Sequence, residues 1–177
     1  MTGKDSEGYR FHWKDIGDIE KGRPNLGPDM KVGVYRLMEY SLRDVLSEKC
    51  GEAAAREIFV DAGRLAGSEL CKNLLNRDLD LSKFLVELQN KLRDLDIGVL
   101  RIEKADWENM HFVLTVSEDL DCSGLPATGE TVCDYDEGFI AGILSTYSGT
   151  DFCVKEVDCW ASGARVCRFD ARPKEGK

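Results

Sequence analysis

The sequence EVDCWASGARVCRF, residues 156–169, decides how the C-terminal part of the chain folds. Its centre, Ser162-Gly163-Ala164, has the composition of a turn between two strands. A turn centred on Gly163 places Cys159 and Cys167 opposite each other in an antiparallel pair, where the Cβ atoms of facing residues lie about 4.5–5.5 Å apart. The stretch therefore predicts a C-terminal hairpin that brings two thiols together.

Two more residues make this hairpin a candidate metal site. Cys133 lies at the start of a predicted helix, whose N-terminus stabilises a thiolate. Glu156 precedes Cys159 on the same predicted strand, and the two side chains share a face only if the strand contains a bulge or a bend between them. Thiolates bind zinc at about 2.3 Å. The residues alone leave open a bound metal or buried core cysteines, because no Cys-x-x-Cys motif is present.

The other cysteines have separate predictions. Cys50 and Cys71 lie on predicted helices and are expected to fill core positions. Cys153 is expected to do the same, with a role as a substitute ligand as the alternative. Cys122 lies in a loop that contains Gly and Pro, and its two alternatives are packing within the loop and a spare thiol near the metal.

Composition limits the class of protein. The chain has 177 residues, enough for one domain with a sizeable core, and a net charge of −9. Nucleic acid and anionic membranes are therefore poor partners, because both need a basic surface. The N-terminal residues contain no apolar signal segment, and seven cysteines without an export signal indicate a reducing compartment. We expect a soluble cytoplasmic domain.

Hydrophobic periodicity predicts helices first and paired strands later. This order indicates an α+β fold, with N-terminal helices packed on an antiparallel sheet of about four strands. Leu37 and Val45 belong to the apolar stripe of the first helix, and Ile58 and Leu65 to the inner stripe of the second. The predicted elements are helices at 30–49, 52–75, 82–95 and 131–147, and strands at 97–105, 110–117, 151–160 and 164–171.

Residues 156–169 resemble the sequence that closes the 4-vinyl-reductase domain family. Residues 62–67 and the run 129–142 are also similar to this family. In fold the family is similar to the sensor domains of aromatic-responsive bacterial activators and, more distantly, to TRAPP-type transport-complex subunits. We expect a single ligand-binding domain of this type at 29–172, an N-terminal arm at 1–28 and a charged tail at 173–177.

The resemblance implies a zinc site. The zinc ligands of the family's aromatic sensors match, in order and spacing, Cys133, Glu156, Cys159 and Cys167 of this chain. Four protein ligands leave no position for water or substrate, so a zinc ion held in this way has a structural role. The function is then expected elsewhere in the domain.

The resemblance also implies a largely apolar ligand cavity between the helices and the sheet. Phe84 and Phe112 fall near the positions where the phenol sensors place polar pocket residues, so we expect a ligand more hydrophobic than phenol. Trp107 or His111 is the expected hydrogen-bond donor. The candidate pocket residues, for which a simple core role is the alternative, are Phe84, Trp107, His111, Phe112 and Phe139.

The resemblance favours a homodimer. Ala62, Gly63, Ala66 and Gly67 form a ladder of small residues that allows close helix contact, either within one chain or across a dimer seam. Asp134, Asp136 and Glu137 are expected to be solvated or to act as charges at a helix N-terminus.

The favoured function is a zinc-containing binding or sensor domain for a hydrophobic hydrocarbon or aromatic ligand. The alternatives are an enzyme or accessory factor in tetrapyrrole-type vinyl reduction, suggested by the family's name, a thiol redox switch, and a scaffold. No glycine-rich nucleotide motif is present, and neither His12 nor His111 adjoins a nucleophile motif. No catalytic residue is therefore assigned.

Overall fold

A computed structural model of the protein describes residues 9–174. Residues 1–8 of the predicted arm and 175–177 of the predicted tail lie outside this range. The described helices are α1 (Ile19–Gly22), α2 (Val32–Cys50), α3 (Glu52–Leu74), α4 (Leu81–Asp94) and α5 (Asp134–Ser148), with short 3₁₀ turns at Trp13–Ile16 and Trp160–Ser162. The strands are β1 (Val99–Asp106), β2 (His111–Ser117), β3 (Phe152–Asp158) and β4 (Cys167–Pro173).

The strands form one antiparallel sheet in the order β1-β2-β4-β3. The predicted α+β class and the two predicted hairpins are therefore confirmed. Helix boundaries follow local signals: the Asp80 carboxylate accepts a hydrogen bond from the Lys83 N–H and caps α4. Gly149 ends α5 in the left-handed conformation, which glycine adopts without steric cost.

The core lies between the sheet and the helices α4 and α5. Phe84 and Leu88 of α4 and Ile143 and Leu144 of α5 are buried there, as their spacing predicts. The sheet contributes apolar side chains that alternate along its strands, namely Leu100, Phe112, Leu114, Phe152, Val154, Phe169 and Ala171. Burial of these residues supplies the main stabilisation of the fold.

A bulge interrupts the pairing of β3 with β4. Glu156 pairs with Phe169, whereas Asp158 pairs with Arg168, so β3 has one extra residue between these positions. A bulge places two residues of one strand opposite one residue of its partner and turns the following side chains. This irregularity is the one that Glu156 and Cys159 need in order to face the same side.

Glycines bring α3 and α5 into unusually close contact. A Cβ atom on Gly63 or Gly67 of α3 would overlap the backbone of Tyr135 or Phe139. A Cβ atom on Gly138 of α5 would overlap the Val60 carbonyl oxygen in the same way. Of the two alternatives for the small-residue ladder, the structure uses its glycines for packing within the chain.

The apolar stripes of α2 and α3 do not point where the sequence suggests. Leu37 is 72% exposed, and Val45, Ile58 and Leu65 are also exposed, so assigning the last two to an inner stripe was wrong. The physical reason is that α2 attaches to the domain through polar groups. The α2 side chains that reach the segment after β2 are Tyr35, Arg36, Tyr40 and Arg43, which form hydrogen bonds within 119–134.

The helices within residues 9–174 are either too short or too polar to cross a lipid bilayer. A helical span needs about 20 consecutive, mostly apolar residues.

Candidate metal centre

Four cysteines from four parts of the chain meet at one end of the sheet. Cys133 precedes the first turn of α5, Cys159 follows β3, Cys167 begins β4, and Cys122 belongs to the loop between β2 and α5. All four side chains are fully buried. The ligand atoms of the four residues lie within 4.8 Å of one another. The structure therefore forms a compact cluster of sulfur donors, which can hold a metal ion.

The spacing of the sulfur atoms suits a tetrahedral metal. The Cys133 Sγ lies 3.9 Å from the Cys159 Sγ and 3.8 Å from the Cys167 Sγ. Zn–S bonds of about 2.3 Å at tetrahedral angles give an S···S separation of about 3.8 Å. The Cys122 Sγ lies closer, at 3.0 Å from the Cys167 Sγ. The donor set and its geometry thus fit a thiolate-bound zinc ion.

Glu156 lies directly beside this cluster. Its Oε2 accepts a hydrogen bond of 3.1 Å from the Cys133 N–H. Its Oε1 is buried and has no hydrogen-bond partner among the described residues. Burial raises the pKa of the Glu156 carboxyl to about 8. Glu156 is therefore available at the site, while Cys122 is the residue whose sulfur completes the cluster.

Backbone hydrogen bonds hold the loop that carries Cys122 against the hairpin turn. The Ala161 carbonyl accepts hydrogen bonds from the N–H groups of Thr128 and Gly129. The Trp160 indole N–H donates to the Leu125 carbonyl at 3.0 Å. The loop between β2 and α5 is thus fixed to the turn between β3 and β4, and the cluster lies where they join.

The four thiols influence each other's ionisation. Hydrogen bonds from Cys122, Cys133 and Cys167 lower the pKa of the Cys159 thiol. The corresponding contacts, with burial as a further cause, raise the pKa of the Cys133 thiol. One thiolate in the cluster thus disfavours the next, because like charges repel in a buried site. A divalent cation removes this conflict, since it stabilises several thiolates together.

The acidic residues at the start of α5 differ from the prediction of solvated charges. Asp134, Asp136 and Glu137 are all buried. Asp134 accepts a 2.6 Å hydrogen bond from Arg43, and Glu137 accepts one from the Glu156 N–H at 2.9 Å. Burial and the neighbouring Asp119 raise the pKa of the Asp136 carboxyl well above its usual value. The prediction failed because these groups have partners distant in sequence, although they do occupy a helix N-terminus.

The remaining cysteines lie away from the cluster. Cys71 is buried in the core, as predicted, and burial raises the pKa of its thiol to about 11. Cys50 and Cys153 are exposed, so the expectation of core positions was wrong for both. Cys50 is the last residue of α2, and Cys153 alternates with the buried Phe152 and Val154 on β3.

The five predicted pocket residues are distributed over three environments. Phe84 and Phe112 are fully buried, with Phe84 stacked on Tyr147 at 3.8 Å between ring centroids. Trp107 is half-exposed at the β1–β2 turn and contacts Phe112 edge-on. The His111 Nε2 lies 3.0 Å from the Asp170 carboxylate. Phe139 is buried on α5, where it stacks on Tyr135.

Cys122 is the residue that sequence reasoning placed least well. Its alternatives were loop packing and a thiol near the metal, and the structure brings its sulfur into the cluster. The available signal was its position in a turn-rich loop that leads directly into the helix carrying Cys133. Spacing alone does not show how such a loop folds back, because irregular segments lack periodicity.

Sequence comparisons identify the family. The family model of the vinyl-4-reductase domain matches residues 112–173. An uncharacterised protein of Methanocaldococcus jannaschii, MJ1642, is 31% identical over 156 residues, which cover 86% of this chain and 83% of that protein. The chain belongs to the vinyl-4-reductase domain family, as the resemblance of residues 156–169 predicted.

Solved structures share the fold. The phenol-responsive sensory domain of the transcription activator PoxR has a TM-score of 0.61 at 18% identity, covering 81% of this chain and 75% of that one. A vinyl-4-reductase family protein from M. jannaschii has the same score and identity, covering 95% and 100%. A trafficking protein particle complex subunit 3 from Naegleria fowleri, covalently bound to palmitic acid, has a TM-score of 0.64 at 12% identity, covering 81% and 95%.

Proposed function

We propose that the protein is a zinc-containing binding or sensor domain for a hydrophobic small molecule. The observation that carries this proposal is the buried sulfur cluster at the junction of α5 with the last hairpin. In this role the zinc ion joins the loop before α5 to β3 and β4, so its binding energy contributes to folding. The sensor role is taken from the likeness of fold to the PoxR domain, which is a phenol-responsive sensory domain.

In the proposal, zinc is held by Cys133, Cys159 and Cys167 together with a fourth ligand. Cys122 fills this position by geometry, because its sulfur lies within the cluster. Glu156, which the family resemblance implies, is the alternative, and its Oε1 is buried without a partner among the described residues. Either set is closed, so the metal braces the fold and leaves no open position for a reactant.

The proposed ligand region is the aromatic zone between α4, α5 and the sheet. Support comes from Phe84 and Phe112, which lie deep in this zone with Phe152 and Tyr147 beside them. These rings present an apolar surface, which favours a hydrocarbon or an unsubstituted aromatic compound over phenol. The rings are packed together, so a ligand enters this zone only if they separate.

Native mass spectrometry of freshly purified protein tests the ligand proposal. We expect a co-purifying apolar molecule, or uptake of one from a set of hydrocarbons and alkylbenzenes. The Phe112→Ala variant enlarges the zone and is expected to take up larger members of the set. As a matched control, Val86→Ala removes an exposed side chain of α4. Protein that binds no apolar compound in either form contradicts the proposal.

The exposed side of α2 supports the proposed homodimer. Val34, Leu37 and Val45 follow one face of this helix and are exposed in the single chain. Apolar faces of this kind commonly mark association sites. We expect Leu37→Glu to convert a dimer into a monomer in light scattering, whereas Val86→Glu on α4 leaves it unchanged. A wild-type monomer at high concentration contradicts this part of the proposal.

A further inference from the structure

A cleft separates α2 from α3, outside the aromatic zone described above. Its walls are apolar side chains of the two helices, and Tyr135 of α5 also lines it. Its volume is about 160 Å³, which is the size of cavity that accommodates a single benzene ring. The apolar lining residues are Met38, Leu42, Leu46, Ile58, Phe59 and Ala62.

One acidic side chain lines this apolar cleft. Glu39 is only 4% exposed, and it is the buried residue of α2. Neither of its carboxylate oxygens has a hydrogen-bond partner among the described residues. Burial of a carboxyl group without a partner is costly, and it is usually found only where a ligand or another group completes the interaction.

The donors near Glu39 are committed to other acceptors. The Tyr35 hydroxyl donates to the Asp121 Oδ1 at 2.9 Å, and the Tyr40 hydroxyl donates to the Asp121 carbonyl. Arg36 gives its guanidinium N–H groups to backbone carbonyls of the loop after β2. Arg43, one turn along α2, donates to Asp134 at 2.6 Å and to a backbone carbonyl. No described cation forms a hydrogen bond with Glu39.

The charge around Glu39 also favours a cation. Asp119 and Asp121 are buried nearby and act against the ionised form of Glu39, whereas Arg36 and Arg43 act in its favour. The Asp121 Oδ2 likewise has no partner among the described residues. An additional positive charge at this position is attracted by both carboxyl groups, and the low local dielectric strengthens the attraction.

We propose that the α2–α3 cleft binds a small amphipathic amine, with its ammonium group on Glu39 and its apolar part against Met38, Leu42 and Phe59. The ammonium group supplies the hydrogen-bond donors that the Glu39 oxygens lack. The ring or short alkyl chain fills the apolar walls of the cleft. This site is separate from the aromatic zone, so its failure leaves the proposed function as it stands.

Benzylamine is a suitable probe, because it combines one ring with one ammonium group. Benzyl alcohol is its neutral counterpart of similar shape. In calorimetric titrations of the full chain, we expect benzylamine to bind at least about tenfold more tightly than benzyl alcohol, since only the amine pairs with a carboxylate. Equal affinity for the two probes, or no binding of benzylamine, overturns the proposal.

Matched variants locate the binding. Glu39→Gln is expected to reduce the preference for benzylamine to about one, whereas Glu48→Gln, an exposed position on the same helix, leaves it unchanged. Ala62→Leu fills the cleft without altering its charge and is expected to abolish binding of both probes. An unchanged preference in Glu39→Gln contradicts the assignment, as does full binding by Ala62→Leu.

The cleft has one competing occupant, a second copy of the chain. If a partner copy covers the cleft, benzylamine binds to the monomeric Leu37→Glu variant and not to the wild type. That result overturns the proposal. Similar affinity in both forms supports it, because the cleft is then accessible in the protein as it exists.

Discussion

The cysteine cluster and the α2–α3 cleft are two places where acidic groups gather without a cation. In the cluster, four thiols from four parts of the chain are fully buried and lie within 4.8 Å of one another. In the cleft, a single carboxyl group, Glu39, lies among apolar side chains with its oxygens unpartnered within residues 9–174. The cluster is closed and sulfur-rich, whereas the cleft is accessible and mostly apolar.

This difference indicates which cation each site selects. Converging thiolates at tetrahedral spacing suit a soft or borderline metal ion such as zinc. One carboxylate on an apolar wall suits an organic ammonium ion, whose carbon part replaces water along the cleft. The first site is expected to contribute to folding, and the second to selectivity for a ligand.

The largest expected effect comes from the fourth ligand of the cluster. Cys122→Ser is expected to lower zinc affinity by more than the roughly 10–100-fold typical of losing a supporting hydrogen-bond partner. Glu156→Gln keeps the shape of the side chain and is expected to stay within that range. Competition with a chromogenic chelator measures both. The reverse order contradicts the geometric assignment and restores the set Cys133, Glu156, Cys159 and Cys167.

A glycine substitution tests whether the two sites depend on the same helix. The first turns of α5 contribute Tyr135 to the cleft and follow directly on Cys133 of the cluster. Gly138→Ala places a methyl group against the Val60 carbonyl, so we expect about 1–3 kcal/mol of destabilisation. Gly33→Ala, where added atoms meet open space, is the control in urea unfolding. Equal stability of the two variants contradicts the close α3–α5 packing.

The smallest expected effect is a pH dependence that belongs to Glu39. Burial, with Asp121 as a further cause, raises its pKa to about 8, while Arg43 and Arg36 oppose the shift. The folded protein therefore holds this proton more tightly than the unfolded chain does. The resulting stabilisation is complete below pH 4.5 and is lost as the pH rises through 8.

The measurement is the free energy of unfolding at about pH 5 and about pH 9. Relative to the wild type, Glu39→Gln is expected to gain about 1–2 kcal/mol between these two values, because glutamine does not ionise. The exposed Glu48→Gln variant serves as the control. If Glu39→Gln and the wild type change in parallel, Glu39 does not titrate in the folded protein in this way.

Sequence reasoning recovered the parts of the fold that have a regular period. The spacing of Phe84 and Leu88, and of Ile143 and Leu144, predicted the buried faces of α4 and α5. The bulge between Glu156 and Asp158 was also anticipated, because the two ligand candidates on β3 require it. In these elements the burial of one face decides the structure, and periodicity reports burial directly.

The same reasoning failed where polar contacts between distant segments decide the structure. Leu37 lies on an apolar stripe that stays exposed, since Tyr35 and Arg36 anchor α2 through hydrogen bonds instead. Glu39, in the middle of that helix, was not singled out as a site residue. Its buried position depends on the loop around Asp121, which sequence periodicity does not describe.

Metal analysis of the freshly purified wild type and of Cys159→Ser tests the central claim most directly. We expect one zinc ion per chain in the wild type, none in Cys159→Ser, and a lower melting temperature for the variant, because binding energy at such a site is folding energy. Cys153→Ser, which changes an exposed cysteine of the adjoining strand, is the control and is expected to keep its zinc. A metal-free wild type that melts at the same temperature as Cys159→Ser would contradict the claim.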